Sequence, residues 1–246
     1  MHTERRCEHT VVHLLAHRKP PRRRVTDVLY IAAKAPRPGY AKTRLAAGIG
    51  AAAAIALYSA FLRDIAARFS GAPFEVGWYF TPDDGWEEIE TLLPSPESAA
   101  RRLAQGNGDW TQRQSELFRG AAERLERKVL LVGSDSPQLR IETVEAAFES
   151  LDRHDVVFGP TPDGGYYLIG MNGWHDVLSG VEMSTGAELA EILRRARADG
   201  VSIGLVEPEY DVDIAADLAP LRADVAVRPD LAHTRAALER LGLLDE

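Results

Sequence analysis

Four short segments of the 246-residue chain hold residues whose types and spacing suit the handling of phosphates. The first, Lys34-Ala-Pro-Arg-Pro-Gly-Tyr-Ala-Lys-Thr-Arg-Leu, gathers Lys34, Arg37, Lys42 and Arg44 around Gly39 and two prolines. A cation-rich loop ahead of a helix is suited to an anion. Its glycine spacing is neither that of a Walker A loop nor a Gly-x-Gly-x-x-Gly fingerprint. A solvated basic loop is the plain reading, and its position directly after a strand favours phosphate binding over it. The second segment, Val132-Gly-Ser-Asp135-Ser-Pro, ends an apolar run on a carboxylate and a proline-enforced turn. Mg²⁺ is held by one or two protein carboxylates plus phosphate oxygens, so Asp135 suits a metal. It equally suits a cap or a turn.

The third segment runs Thr161-Pro-Asp163-Gly164-Gly165-Tyr166-Tyr. Asp-Gly is a hairpin-turn signal. The glycines would also let a ligand approach the backbone, with Asp163 and the tyrosines as polar contacts and Asp163 as a candidate general base. In the fourth, Tyr210-Asp211-Val-Asp213, two carboxylates two apart on an extended segment face one side. Either can complete a metal site with Asp135, although Asp213 alone reads as a helix N-cap. A weaker fifth segment, Gln105-Gly-Asn-Gly-Asp109-Trp110, is a flexible loop suited to a base or ribose, or an ordinary connection.

Elements that alternate in period must position these segments. Strands are predicted at Val25–Ala33, Phe74–Phe80, Arg101–Gln105, Lys128–Gly133, Asp155–Gly159, Tyr166–Met171 and Val201–Val206. Helices are predicted at Gly50–Phe69, from an Asp83 or Asp84 cap to Leu93, and at Thr111–Leu125, Thr143–Leu151, Asp213–Leu221 and Asp230–Leu241. One more opens on a Thr185-Gly-Ala-Glu188 capping box and stops at Gly200. Strands alternating with helices imply an α/β fold: one three-layer α/β/α domain with a mostly parallel sheet. Ligands bind beyond the carboxyl ends of such strands, where four of the segments fall.

Composition narrows the function classes. The net charge is −8, which argues against a nucleic-acid binder acting through a broad basic surface. The single cysteine, Cys7, leaves no disulfide framework and no Cys-based zinc site. No apolar run approaches the ~18–20 residues of a membrane helix. A cytoplasmic protein is the default expectation. Residues 1–24 carry seven Lys/Arg against two Glu and read as a basic, disordered extension, with the ordered domain filling 25–246.

Together the five segments, in this order and spacing, resemble the bacterial glycosyltransferase-like proteins of arsenosugar biosynthesis. That family lies in the nucleotide-diphospho-sugar transferase superfamily of GT-A fold. The resemblance covers Val25 to Leu221. Lys42-Thr-Arg44-Leu also resembles the triphosphate-binding element of the guanylyltransferases of 2-phospholactate and of the molybdenum cofactor. One departure is Trp110-Thr111, where family members often have Leu-Gly. The resemblance implies a GT-A fold with a mixed, mostly parallel sheet. It implies that Lys34, Arg37, Gly39, Lys42, Arg44 and Gln105 hold a nucleotide, and that Asp135 and Asp213 hold Mg²⁺ or Mn²⁺. Asp163, Gly164, Gly165 and Tyr166 would line the acceptor or sugar side. The expected activity is sugar transfer from a nucleotide-diphosphate sugar to a small-molecule acceptor. The first alternative is nucleotidyl transfer from a nucleoside triphosphate to a phosphorylated acceptor, with release of pyrophosphate. A catalytically silent nucleotide-binding protein is the second, and the paired carboxylates weigh against it. No residue reads out arsenic.

Overall fold

The computed structural model describes residues 27–244 except 96, 97, 99 and 100. The expected basic extension over 1–24 lies outside the described residues, as does the predicted start of the first strand. Its order is β1 (Val28–Lys34), α1 (Thr43–Ile49), α2 (Ala51–Phe69), β2 (Glu75–Thr81), α3 (Trp86–Glu90), β3 (Arg102–Ala104), α4 (Trp110–Glu123) and β4 (Lys128–Gly133). Then come α5 (Ile141–Ser150), β5 (Val156–Pro160), β6 (Tyr166–Asn172), α6 (Glu188–Ala198), β7 (Ile203–Leu205), α7 (Leu218–Val227) and α8 (Ala232–Leu241). A 3-10 turn precedes each of the last two helices.

The strands form one seven-stranded sheet in the order β3-β2-β1-β4-β6-β5-β7. All pairs are parallel except those of β6, which runs antiparallel to β4 and β5. Alternation along β1 sends Leu29 and Ile31 to one face and Val28 and Tyr30 to the other. The first face is covered by α1, α2, α5, α7 and α8, the second by α4 and α6. This is a single three-layer α/β domain on a mixed sheet, as the alternation of elements requires.

Local differences from the sequence reading have local causes. Lys42 takes a left-handed conformation (φ 50°) and starts α1, so the basic loop leads into a seven-residue helix ahead of the long α2. Thr185 is not the N-cap of α6. Its hydroxyl accepts from Ala187 N and donates to Glu188, closing a turn, and the helix begins only at Glu188. Gly85, not Asp83 or Asp84, precedes α3, because Asp84 is engaged by Arg37. Asp213 does not cap a helix either. The Asp217 carboxylate takes the Asp213 and Ile214 amides at 2.7 and 2.8 Å, which leaves the Asp213 side chain free for other partners.

Candidate active site

The carboxyl ends of β1 and β4 open into a cavity of about 410 Å³. Lys34 and the α1 start (Lys42, Thr43, Arg44) form one lip. Ser134 and Asp135 after β4, with Asp211 and Asp213, form the head. Gln105, Trp110, Arg113 and Gln114 from the β3–α4 region face Tyr166, Tyr167 and Ile169 of β6. The Val212 amide donates to the Asp135 carbonyl at 2.9 Å, which joins two segments far apart in sequence and sets their three carboxylates in one mouth.

Lys42 dominates the electrostatics. Its side chain is only 4% exposed, and its Nζ lies 2.5 Å from Asp135 Oδ1 and 3.1 Å from Asp213 Oδ1. It also donates to the Val212 carbonyl at 2.8 Å. Burial alone would lower the ammonium's pKa, but the charges and hydrogen bonds of Asp135 and Asp213 hold it above the usual lysine value. Arg44 reaches Asp213 from the exposed side at 3.3 Å. Asp211 is hydrogen-bonded by the Ser136 hydroxyl. Burial, and then the charge of Asp135, push its pKa up to about 6. Tyr58 braces the floor. Its hydroxyl accepts from the Lys34 amide at 3.0 Å and pairs with Ser134 Oγ at 2.9 Å.

The donor set for a divalent ion is therefore carboxylate oxygen, which suits Mg²⁺ and Mn²⁺. Beyond the effect of burial, the like charges of Asp135 and Asp213 raise the pKa of Asp211, so the three carboxylates repel one another in the mouth. Against this, no group of three such side chains among the described residues forms a ready metal cage, and Lys42 stands between Asp135 and Asp213. The residues fit a metal in chemistry, with Lys42 as the cation to be displaced.

Of the residues singled out from sequence, Lys34, Lys42, Arg44, Gln105, Asp135, Tyr166 and Asp213 meet at this cavity. Arg37, Gly39, Asp163, Gly164 and Gly165 do not line it. Arg37 is held by Glu88 at 2.6 Å and Asp84 at 3.1 Å. The Asp163 carboxylate folds back to accept from Thr161 Oγ1 and the Gly165 amide, fixing its own turn. Gly164 lies against the Gly186 backbone, where a Cβ would fall 2.0 Å from the carbonyl oxygen. The close approach is therefore chain on chain. Gln105 lines the cavity, but its carboxamide is committed to Tyr79 O and Arg113. Asp109 caps α4 in a reciprocal box with Gln112. Tyr167, named with Tyr166 as a polar contact, also lines the cavity, whereas sequence reasoning did not single out Tyr58, Arg113 or Gln114. A glutamine on the apolar stripe of Leu117, Phe118 and Ala121 was the available signal for Gln114.

Residues 69–185 match a family described as an uncharacterized protein conserved in bacteria, DUF2064. The chain is 32% identical over 174 residues to the 3-phospho-D-glycerate guanylyltransferase of Phenylobacterium zucineum (strain HLK1), covering 68% of this chain and 76% of that protein. A candidate nucleotide-diphospho-sugar transferase from Desulfovibrio desulfuricans G20 superposes with a TM-score of 0.79 at 25% identity, over 89% of this chain and 98% of that one. A cytidylyltransferase from Leptospira borgpetersenii serovar Hardjo-bovis shares the fold at a TM-score of 0.54 and 11% identity, over 90% of this chain and 98% of that one. No helix among the described residues is long and apolar enough to cross a membrane. With a seven-stranded mixed sheet of nucleotide-diphospho-sugar transferase type and this degree of identity over three quarters of the guanylyltransferase, the chain belongs to the same transferase family as that protein.

Proposed function

We propose that the chain is a nucleotidyltransferase that joins a nucleoside monophosphate, taken from a nucleoside triphosphate, to a phosphorylated small-molecule acceptor. An acceptor phosphate oxygen would bond to the α-phosphorus as the α–β bridging P–O bond breaks and pyrophosphate leaves. The observation that carries this reading is the guanylyltransferase relative, whose similarity spans three quarters of its length. The cavity is consistent with it. Lys34 and Arg44 at the lip can offset triphosphate charge, and Asp135, Asp211 and Asp213 face them. Asp135 and Asp213, with Asp211 beside them, would hold Mg²⁺ or Mn²⁺, which when bound supplies charge stabilisation at the phosphates. Lys42 holds the two outer carboxylates in place until then.

Sugar transfer from a nucleotide-diphosphate sugar is the second reading. The Desulfovibrio protein favours it. The two separate in one assay. The purified protein is given GTP, CTP, ATP or UTP with 3-phospho-D-glycerate and Mg²⁺ or Mn²⁺, and pyrophosphate is measured. In parallel it is given nucleotide-diphosphate sugars, and nucleoside diphosphate is measured. Metal-dependent pyrophosphate release from one triphosphate is the expected result. Diphosphate release from a sugar donor without pyrophosphate release from any triphosphate would overturn it in favour of sugar transfer.

A further inference from the structure

The wall of the cavity made by α4 contains two polar groups that are not among the residues assigned to the nucleotide. Gln114 is fully buried. Its Oε1 accepts from the Tyr166 hydroxyl at 3.2 Å, while its Nε2 has no partner among the described residues. Arg113 donates through Nη1 to Gln105 Oε1 at 3.3 Å, and its buried Nε also has no partner among the described residues. Both residues line the cavity. Each orphaned N–H costs about 1–3 kcal/mol, and an apolar residue at 114 would continue the stripe of Leu117, Phe118 and Ala121 without an unpaired amide, at the expense of the Tyr166 hydrogen bond. A polar group kept at such a cost is explained by a ligand that completes it.

The polarity of the wall identifies the ligand's chemistry. Its unsatisfied groups are N–H donors, and both carboxamide oxygens, Gln105 Oε1 and Gln114 Oε1, are already taken. A base edge that itself carries N–H donors would leave them unpaired here. An anion brings only acceptors and suits an arginine beside an amide donor. We propose that Gln114 and Arg113 form the subsite that reads the anionic oxygens, carboxylate or phosphate, of the acceptor substrate, and that Gln114 determines acceptor specificity. Tyr166 fixes the orientation of the Gln114 carboxamide. This inference rests on the nucleotidyl-transfer reading, because it assigns the second substrate of that reaction.

The test is calorimetric binding of 3-phospho-D-glycerate, D-glycerate and glycerol 3-phosphate to the full chain, in wild type, Gln114→Met and Gln114→Glu, with GTP-induced thermal shifts alongside. The Kd for 3-phospho-D-glycerate is expected to rise about tenfold in Gln114→Met, equivalent to about 1.4 kcal/mol, and further in Gln114→Glu, where a carboxylate faces the anion. The GTP shift should be unchanged. The Tm of Gln114→Met should stay close to that of wild type, because the orphaned amide is removed together with the acceptor of the Tyr166 hydroxyl; a merely structural glutamine would instead lower it. Sensitivity confined to D-glycerate assigns the carboxylate, and sensitivity confined to glycerol 3-phosphate assigns the phosphate. Equal 3-phospho-D-glycerate affinity in all three proteins would overturn the inference. So would a loss of GTP binding in its place, or no binding of any of the three anions to wild type. Pyrophosphate release is scored separately. Anion binding through Gln114 without pyrophosphate release keeps the subsite and removes the transfer reading, and the reverse pattern removes only the subsite.

Discussion

The Lys42 ammonium and the Asp135 carboxylate form a contact of 2.5 Å inside the head of the cavity, with Asp213 on the other side of the same nitrogen. An ammonium has three protons. Here Asp135, Asp213 and the Val212 carbonyl take them. In this state Lys42 has none left for a phosphate, so its expected role as a nucleotide ligand requires it to leave the carboxylates first. The same contacts make it a structural cation, tying α1 to β4 and to the segment before α7.

Replacing Lys42 with Met should therefore change stability as well as binding. The carboxylates remain roughly two-fifths exposed, so the loss is smaller than for a fully buried pair, about 1–2 kcal/mol. Added Mn²⁺ should restore more of the Tm in the variant than it adds to wild type, because the ion then meets carboxylates without a competing ammonium. Thermal unfolding across a Mn²⁺ titration measures both effects. An unchanged Tm with no gain from metal would show that Lys42 neither holds these carboxylates nor competes for their place.

On the proposed function, Asp135→Asn should lower turnover by about 100-fold or more, because the carboxylate proposed to hold the metal loses its charge while the shape is kept. Lys42 retains Asp213 and Val212, so the Tm should fall only a little. Steady-state kinetics and a melting curve on the same preparation check the two halves. A large drop in Tm with full metal-dependent turnover would make Asp135 a turn residue.

How far the sequence reaches is visible in individual residues. β4, Lys128–Gly133, was readable to the residue, because all but Gly133 are buried and a continuous apolar run marks such a strand. The four segments meet at one edge because strand ends in an α/β sheet do. Arg37 was legible as a cation but not as an occupied one, since Glu88 and Asp84 reach it from about fifty residues away. Thr185 and Glu188 have capping-box spacing, and they do interact, yet they close a turn ahead of the helix. α1 was hidden because its start at Lys42 is a left-handed residue with a long side chain, the type least expected there. Each miss comes from a tertiary partner or backbone choice that no local pattern encodes.

The Gly164-Gly165 pair separates structural from ligand-binding glycine. Gly164 has φ +93°, and a Cβ there would collide with Gly186 O. The Leu189 amide also donates to the Gly164 carbonyl at 3.2 Å, so the turn and the start of α6 are packed backbone to backbone. Gly164→Ala should cost about 2 kcal/mol or more. Gly165→Ala, whose nearest contacts are side-chain oxygens at 3.1 and 3.4 Å, should cost less than 1 kcal/mol. Denaturant midpoints of the two variants test this ordering. Equal and small losses would return the pair to a ligand-facing role.

Asp230 should contribute to the loss of stability in acid. Its carboxylate accepts from Arg228 and from Arg68, at 2.6 and 2.7 Å, and these guanidiniums, Arg228 first, hold its pKa well below the usual carboxylate value. The same two arginines donate to the carbonyls of Pro137, Gln138 and Leu139, just after Asp135, so the contact braces the loop that carries the site. A pKa depressed in the folded state adds stability above the unfolded value, near 3.9, and that contribution is lost as pH falls through the folded value. Wild type should therefore lose Tm progressively below about pH 4. Asp230→Asn should start lower at pH 7, by a few degrees, and fall less steeply in acid, because it has no proton to take up there. Melting curves from pH 7 to pH 2 for the two proteins measure this, and parallel curves would show that Asp230 is not the linked group.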